Sequence, residues 1–485
     1  MSEFKKTTLV LMAIMAFGKL TALAQTGPDS IWSLEKCINY ALENNLSVQN
    51  QELLMETSQV NLKQSKMARV PSLNASANYG YNWGRSINPE TNLVTLQQQA
   101  NGYGSLSASW ILYNGGNILN TIKQNKALLS NSENDLEKAK NDVVLTIVTY
   151  YTNVIFNKEI LANAQLQYNS TKSQLARTQK QVQAGALPKS AALDLQAQLA
   201  SNELNVIDAE NNLQLSTLQL KQAMLLPGTT QLDVIIPEIE LDSSMLADIN
   251  AELIYENAES TMPEIKSADG QVEAAEIGIQ VAKSNYYPSL RLNGGISTNY
   301  SSLIADKGRS EGNGTYSDVP IGFVGNSGSG TIVVTPIENR DYFDYPTGQQ
   351  LSDNFGQSIS LSLSIPIFNN LQVNSAVQRA KISRERAAVQ AQQQRQILRQ
   401  TIETASNDAL SSAKSYVSSF KRVEAQEESY RATKQRYENG AANYTEYQIA
   451  ENNLFQAKSD LLRAKYNFIF KLKILDFYQG KPISL

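Results

Sequence analysis

Histidine is absent from all 485 residues, and cysteine occurs once, at Cys37. The first absence removes imidazole acid–base chemistry and imidazole metal ligands. The second rules out an intrachain disulfide. Neither a Walker-type phosphate loop nor a dinucleotide fingerprint is present. The Gly-rich run 325–330 lacks the lysine and following helix that a phosphate site needs. Carboxylates are scattered along helix surfaces with no pair that sequence marks as buried, so the chain is read as neither an enzyme nor a cofactor or metal binder. After the N-terminus no stretch is apolar enough for a transmembrane helix, so any membrane residence would have to use strands. A net charge of −4 without basic runs argues against nucleic acid as a partner.

The N-terminus has the pattern of an export signal. Lys5 and Lys6 precede the apolar run Leu9 to Phe17, and Ala22-Leu23-Ala24 offers a small-residue cleavage site before Gln25. Residues 1–24 are therefore expected to be a signal peptide; the alternative, a retained anchor, is disfavoured by the short apolar run. Cys37 does not follow the cleavage site, which argues against a lipid anchor at the new N-terminus.

Breakers are scarce, with 13 prolines and 25 glycines that cluster and leave very long uninterrupted stretches rich in Ala, Gln, Asn, Leu and Lys. That is the composition of long solvated helices. The chain also repeats itself. Pro71-Ser72-Leu73 recurs 217 residues later as Pro288-Ser289-Leu290, whereas Tyr113-Asn114 recurs as Phe368-Asn369, and Gly185 as Gly440, 255 residues later. The difference of 38 residues is an insertion between Pro288 and Phe368. It corresponds to the Gly/Ser/Asp-rich segment 301–356, expected as a loop without a periodic apolar face.

Each copy reads helix, strand, strand, long helix, turn, helix. The first repeat, 25–230, has helices at 32–70, 115–184 and 190–224, strands at 72–84 and 103–113, and a tip near 185. A connector follows at 231–249. The second repeat, 250–478, has helices at 250–284, 370–439 and 443–478, strands at 289–300 and 357–367, and a tip near 440; residues 479–485 form a tail. Pro263 should start or kink the helix at 250–284. A 70-residue helix runs roughly 105 Å and cannot bury itself in a globule, so it needs a coiled-coil partner. In both copies the shorter helices together match the length of the long one. Leu161, Tyr168, Leu175 and Val182 lie seven apart, as do Tyr416, Val423, Tyr430 and Tyr437, which marks a left-handed seam.

The strand segments alternate. Leu73, Ala75, Ala77, Tyr79, Tyr81 and Trp83 oppose Asn74, Ser76, Asn78, Gly80 and Asn82, and Leu106, Ala108, Trp110 and Leu112 oppose serines. In the second copy Leu290, Leu292, Ile296 and Tyr300 do the same, followed by Ile359, Leu361, Leu363, Ile365 and Ile367. One whole face of each strand is thus apolar. A soluble sandwich would alternate likewise, but the flanking helices already pair with each other and no second sheet remains as cover. Lipid is the expected cover, with Trp83, Trp110, Tyr79 and Tyr81 suited to an interfacial belt. Four strands cannot close a barrel, so the chain must assemble into 8, 12 or 16 strands as dimer, trimer or tetramer. The small polar inward faces suit a wet lumen and favour more than two chains.

These features resemble the TolC family of outer-membrane efflux proteins. The resemblance covers nearly all of the mature sequence. It rests on Trp32-Ser33-Leu34-Glu35-Lys36-Cys37-Ile38-Asn39-Tyr40-Ala41-Leu42-Glu43-Asn44-Asn45, the Pro-Ser-Leu entrances to both hairpins, Tyr113-Asn114-Gly115-Gly116, and the surroundings of Gly185 and Gly440. It implies a mainly α chain with transmembrane β-strands, assembled as a homotrimer in the outer membrane of a Gram-negative bacterium. The trimer would form a 12-stranded β-barrel continued by a 12-helix periplasmic α-barrel, with 231–249 an equatorial connector and 301–356 extracellular. Such a channel-tunnel is the passive exit duct of a tripartite efflux or type I secretion system. Its partners are a periplasmic adaptor, an inner-membrane transporter and outer-membrane lipid.

In that family the hairpin tips close the entrance and contact the adaptor. Here the docking tips would be Gly185, Ala186 and Leu187 with Gly440 and Ala441. The constriction would use Glu446, six residues past the second glycine, Tyr437 and Asp194. The first copy has Ala191 at the Glu446 position. Ala442 stands where the better-known members carry an arginine that pairs with the tip tyrosine and acid, so closure should use other contacts. A lone Glu on a helix is also an ordinary solvated charge. Two other classes stay open: a coiled-coil scaffold without a pore, which leaves the strands unexplained, and a monomeric porin or adhesin, which leaves the long helices unexplained.

Overall fold

A computed structural model describes residues 31–87, 94–237, 250–302, 308–325 and 330–481. The expected signal peptide at 1–24, residues 238–249 of the connector and residues 482–485 of the tail lie outside the described residues. Two compact units divide the chain: one holds 58–129 and 272–387, the other Met1–Thr57, Ser130–Gln271 and Ala388–Leu485.

The helices follow two constant spacings. α1 (Leu34–Asn44) and α2 (Leu46–Met67) precede the first strands. α5 (Ala251–Thr261) and α6 (Pro263–Ser284) stand 217 residues later at both ends. The long helices α3 (Asn117–Gln183) and α8 (Gln372–Glu438) each have 67 residues, and α4 (Lys189–Ala223) and α9 (Tyr444–Tyr478) each have 35; both pairs are spaced by 255. The single helix expected over 32–70 is two. Asn45 leaves the helix in an extended conformation, and its side chain accepts from the Ser47 and Val48 amides, so it ends α1 and caps α2. In the second copy Met262 takes the same extended conformation before Pro263, because the proline ring Cδ would clash with a helical residue before it.

Two apolar clusters hold the mainly helical unit. Cys37 and Ala41 of α1 pack with Ile147, Val148 and Tyr151 of α3 and Leu220 of α4. Ile254 and Ala258 of α5 pack with Leu398 and Ile402 of α8 and Leu475 of α9. Ala41 and Ala258 are both fully buried, as are Ile147 and Ile402. Each buried Leu or Ile contributes about 1.5–3 kcal/mol. The Tyr151 hydroxyl donates to one of two carbonyls, of Trp32 and Ile235, each 3.1 Å away. It thereby ties down the short parallel pair β1 (Ile31–Trp32) and β4 (Asp233–Val234).

The other unit contains an antiparallel sheet in the order β2 (Ser72–Ile87), β3 (Val94–Asn114), β5 (Ser289–Ser301), β8 (Gly356–Ser364). Its register aligns Leu73, Ala108, Gly294 and Ile359 across one face, and Ser72, Ser109, Asn293 and Ser360 across the other. The polar face is cross-linked by Ser76 to Ser105 at 2.8 Å and by Ser109 donating to Asn293 at 3.0 Å. The apolar face is open: Ile359, Leu361 and Leu363 are 79%, 63% and 62% exposed. β8 stops at Ser364 instead of reaching 367, because Pro366 cannot donate to a ladder.

The described residues of the segment expected as a plain loop, 301–356, form regular elements. β6 (Arg309–Val324) pairs with β7 (Thr331–Phe343), and a short α7 (Thr347–Asp353) follows. Two register shifts, at Gly312/Tyr316 and Pro320/Gly322, interrupt the ladder and erase the clean alternation by which sequence reveals a hairpin. The buried Gln350 joins α7 to the sheet by accepting from the Ser301 amide at 3.0 Å.

Candidate functional site

Both helical hairpins turn through the same backbone device. Gly185 and Gly440 have φ of +75° and +72°, a conformation that costs an L-residue with a Cβ about 1 kcal/mol. Their amides donate to Val182 and Tyr437 carbonyls, and the next amides, of Ala186 and Ala441, reach back to Gln181 and Arg436. The returning helices start differently. α4 begins after Pro188 with no side-chain cap, whereas α9 is capped by Asn443, whose side chain accepts from the Glu446 amide at 2.9 Å. Gly185, Ala186, Gly440 and Ala441 are exposed, and Leu187 is half-buried.

The two tips enclose a cleft of about 650 Å³, lined by Arg177, Thr178, Leu187, Tyr437, Ala442 and Tyr444 among others. Tyr437, Tyr444 and Tyr447 line it, and Tyr430 packs against Tyr447. Tyr437 stacks on Tyr447 with centroids 5.1 Å apart, Tyr444 sits edge-on to Tyr437 at 6.2 Å, and Tyr430 lies 5.7 Å from Tyr447. A hydrogen-bond chain runs beneath them. The Tyr430 and Tyr447 hydroxyls are 3.0 Å apart, and Tyr447 donates to the buried Glu451 carboxylate at 3.2 Å. Ser170 donates to the same oxygen from α3 at 2.6 Å, and Gln174 donates to the Tyr437 hydroxyl at 3.3 Å. Burial pushes the Tyr447 phenol far above its usual value, aided by the Tyr430 bond and the Glu451 charge. Burial does the same for Tyr444, with Glu451, Tyr437 and Asp194 adding to it. Both rings therefore stay neutral donors.

A cation faces Glu446 after all. Arg436, on the last turn of α8, places Nη2 3.4 Å from the Glu446 carboxylate and donates to the Ala441 carbonyl at 3.3 Å. The αL turn at Gly440 folds residue 436 back over residue 446, so Ala442 does not leave the acid without a partner. The pair is exposed, with side chains 58% and 45% accessible. Tyr437 thus joins the buried network, Glu446 the exposed pair, and Asp194 an exposed position on α4 whose charge reaches Tyr444. Glu451 carries no signal in the sequence, because its partner Ser170 lies 281 residues away. The positions 255 residues before Tyr430, Tyr437, Tyr447 and Glu451 are Leu175, Val182, Ala192 and Gln196, so the first copy lacks the network.

The expected belt aromatics separate into two groups. Tyr79, Tyr81 and Trp83 are exposed toward the loop end of the sheet, paired with Gly102, Ala100 and Gln98. Tyr79 stacks on Tyr300 at 6.3 Å across Gly102, where a Cβ would lie 3.3 Å from Tyr300. Trp110 is at the helix end instead, its indole donating to the Arg69 carbonyl at 2.8 Å. Among the described residues no group of three or more acidic or cysteine side chains is placed to hold a metal, and no helix is long and apolar enough to cross a membrane.

Comparison with known proteins bears on the whole arrangement. The family described as outer membrane efflux protein matches residues 37–224 and 339–477. Outer membrane protein TolC of Escherichia coli is 21% identical over 415 residues, covering 84% of this chain and 74% of that protein. TolC of Vibrio cholerae is 26% identical over 192 residues, 40% of this chain and less than half, 43%, of its own length. The solved structure of the outer membrane protein VceC from Vibrio cholerae superposes with a TM-score of 0.67 at 15% identity, covering 92% of this chain and 96% of that one.

Proposed function

The chain belongs to the outer membrane efflux protein family, and on that premise we propose that it is the passive exit duct of a tripartite efflux or type I secretion system. The observation that carries this reading is the four-stranded sheet. β2 and β8 are its edges, and its apolar face is open. An unpaired edge is not tolerated in lipid, so β8 of one copy must pair with β2 of the next until the barrel closes. Three copies, the family's count, give 12 strands around a lumen lined by Ser and Asn.

The equal spacings of the helix bounds support an internal duplication, so that each copy contributes four helical columns and three copies twelve. Residues 1–24 direct export, and the barrel resides in the outer membrane with the helices in the periplasm. The exposed tip residues Gly185, Ala186, Gly440 and Ala441, with the half-buried Leu187, dock a periplasmic adaptor, which links the duct to an inner-membrane transporter. Tyr437, Glu446 and Asp194 line the entrance. Closure there combines an exposed Arg436–Glu446 pair with the buried tyrosine–Glu451 network.

The test is extraction and reconstitution of the full chain. Detergent-dependent release as a trimer by native mass spectrometry, with stepwise conductance in planar bilayers, is the expected result. A detergent-independent elongated dimer without conductance would favour the coiled-coil scaffold and sink the duct.

A further inference from the structure

The residues next to the sheet carry mainly positive charge. Positions 58–70, 115–129, 272–288 and 369–387 hold ten Lys or Arg against three Asp or Glu, in a chain with 42 basic and 46 acidic residues. At the opposite end of the sheet the balance inverts: residues 308–325 and 330–355 contain six acids and two arginines. Lys66, Arg69, Lys123, Lys283, Arg379 and Lys381 are all exposed. Among the described residues only Arg384 of the ten has an ion pair, to the adjacent Glu385 at 2.9 Å. A collar of exposed like charges repels itself and is tolerated where an anionic surface faces it.

A second observation says which surface. Exposed aromatics stand where the sheet meets the collar: Trp110 and Tyr113 at the end of β3 and Tyr286 and Tyr287 just before β5 are 39%, 50%, 49% and 56% accessible. Trp110 is bonded to the backbone of Arg69, which joins the two rings of residues physically. Along β3 the partners of Tyr79 and Tyr81, Gly102 and Ala100, lie eight and ten residues from Trp110. At ~3.4 Å per residue and a tilt of about 40° this is roughly 20–26 Å along a barrel axis, the height of an outer-membrane apolar band. The aromatics at Trp110 therefore fall at one interface, and the basic residues follow at headgroup depth.

We propose that this collar binds the anionic headgroups of phospholipids in the membrane leaflet on the helix side. The inference rests on the reading that the sheet spans the outer membrane. Arg and Lys donate charge-assisted hydrogen bonds to phosphate oxygens, and each basic residue at an anionic surface strengthens attachment roughly fivefold. The surface thus fixes the depth of the barrel by charge where the apolar face alone would let it slide.

The experiment uses the full chain reconstituted in phosphatidylcholine vesicles with and without phosphatidylglycerol, then extracted for native mass spectrometry. The parent should retain phosphatidylglycerol over phosphatidylcholine by about tenfold or more, less as salt rises. Combined Lys66→Gln, Arg69→Gln, Lys123→Gln, Arg379→Gln and Lys381→Gln should abolish the preference while the trimer mass persists. The charge-conserving set Lys66→Arg, Lys123→Arg and Lys381→Arg should keep it. Equal retention of both lipids by the parent, an intact preference in the glutamine variant, or displacement of the lipid by equimolar inorganic phosphate would each overturn the proposal. Failure to insert into either vesicle would instead sink the membrane reading, whereas insertion without headgroup preference sinks the collar alone.

Discussion

The Tyr447 hydroxyl meets the Glu451 carboxylate at 3.2 Å, one turn apart on α9, and both side chains are almost wholly buried at the second hairpin. Ser170 of α3 shares the same oxygen. Replacing Glu451 with Leu should cost about 1–3 kcal/mol, because the buried Tyr447 hydroxyl and the half-buried Ser170 hydroxyl lose their acceptor. Glu451→Gln, which keeps an acceptor, should recover most of that. Thermal denaturation reads the difference, and a leucine variant as stable as its parent would exclude a bracing role.

The Arg436–Glu446 pair is of a different kind. Both side chains are well exposed, so a double-mutant cycle should return no more than about 1 kcal/mol of coupling. In the proposed duct it would present charge at the entrance. Glu446→Ala should weaken block by multivalent cations in planar bilayers, and an unchanged block would remove Glu446 from the constriction.

Gly270 of α6 is a packing position. A Cβ there would clash with the side-chain oxygen of Asn131, which is buried on α3 with its amide nitrogen unpartnered among the described residues. Gly270→Ala should destabilise by about 1–3 kcal/mol. Adding Asn131→Ala should restore most of the loss, because it removes both the clash and the buried unpaired donor. Strict additivity in urea denaturation would show that the two helices do not meet this way.

Cys37 and Tyr151 share one core, and burial pushes both up to about 12. A folded value above the unfolded one means the neutral forms stabilise the fold. That contribution is complete below the thiol's ordinary value of 9.0 and is lost as pH rises toward about 12. Urea stability should therefore fall across that alkaline window, and Cys37 should resist alkylation at pH 8 until the protein unfolds. Rapid labelling of the folded chain would contradict the burial.

Much of this was legible because it is written in local chemistry. Breaker-free stretches ending at Gly185 and Gly440 delimit the long helices, and strict alternation around Leu73 and Leu361 marks the sheet faces. Asn45 was missed as a break because asparagine is tolerated inside helices and only its capping geometry reveals the stop. The β6–β7 hairpin was missed because Pro320 and the bulged glycines scramble the period-two signal. Trp110 and Trp83 look alike as strand aromatics, and the register places them at opposite ends of the sheet.

The barrel-and-tunnel reading thus began in the sequence alone. Helix lengths, repeat spacings and four amphipathic strands follow from local propensity and periodicity, which a linear chain displays. Which side chains face each other at the tip was decided by tertiary structure. A left-handed turn at Gly440 returns Arg436 to Glu446, and α3 brings Ser170 to Glu451. The first pairing spans a turn whose glycine is visible but whose facing side chains are not, and the second joins residues 281 apart, which no local rule encodes.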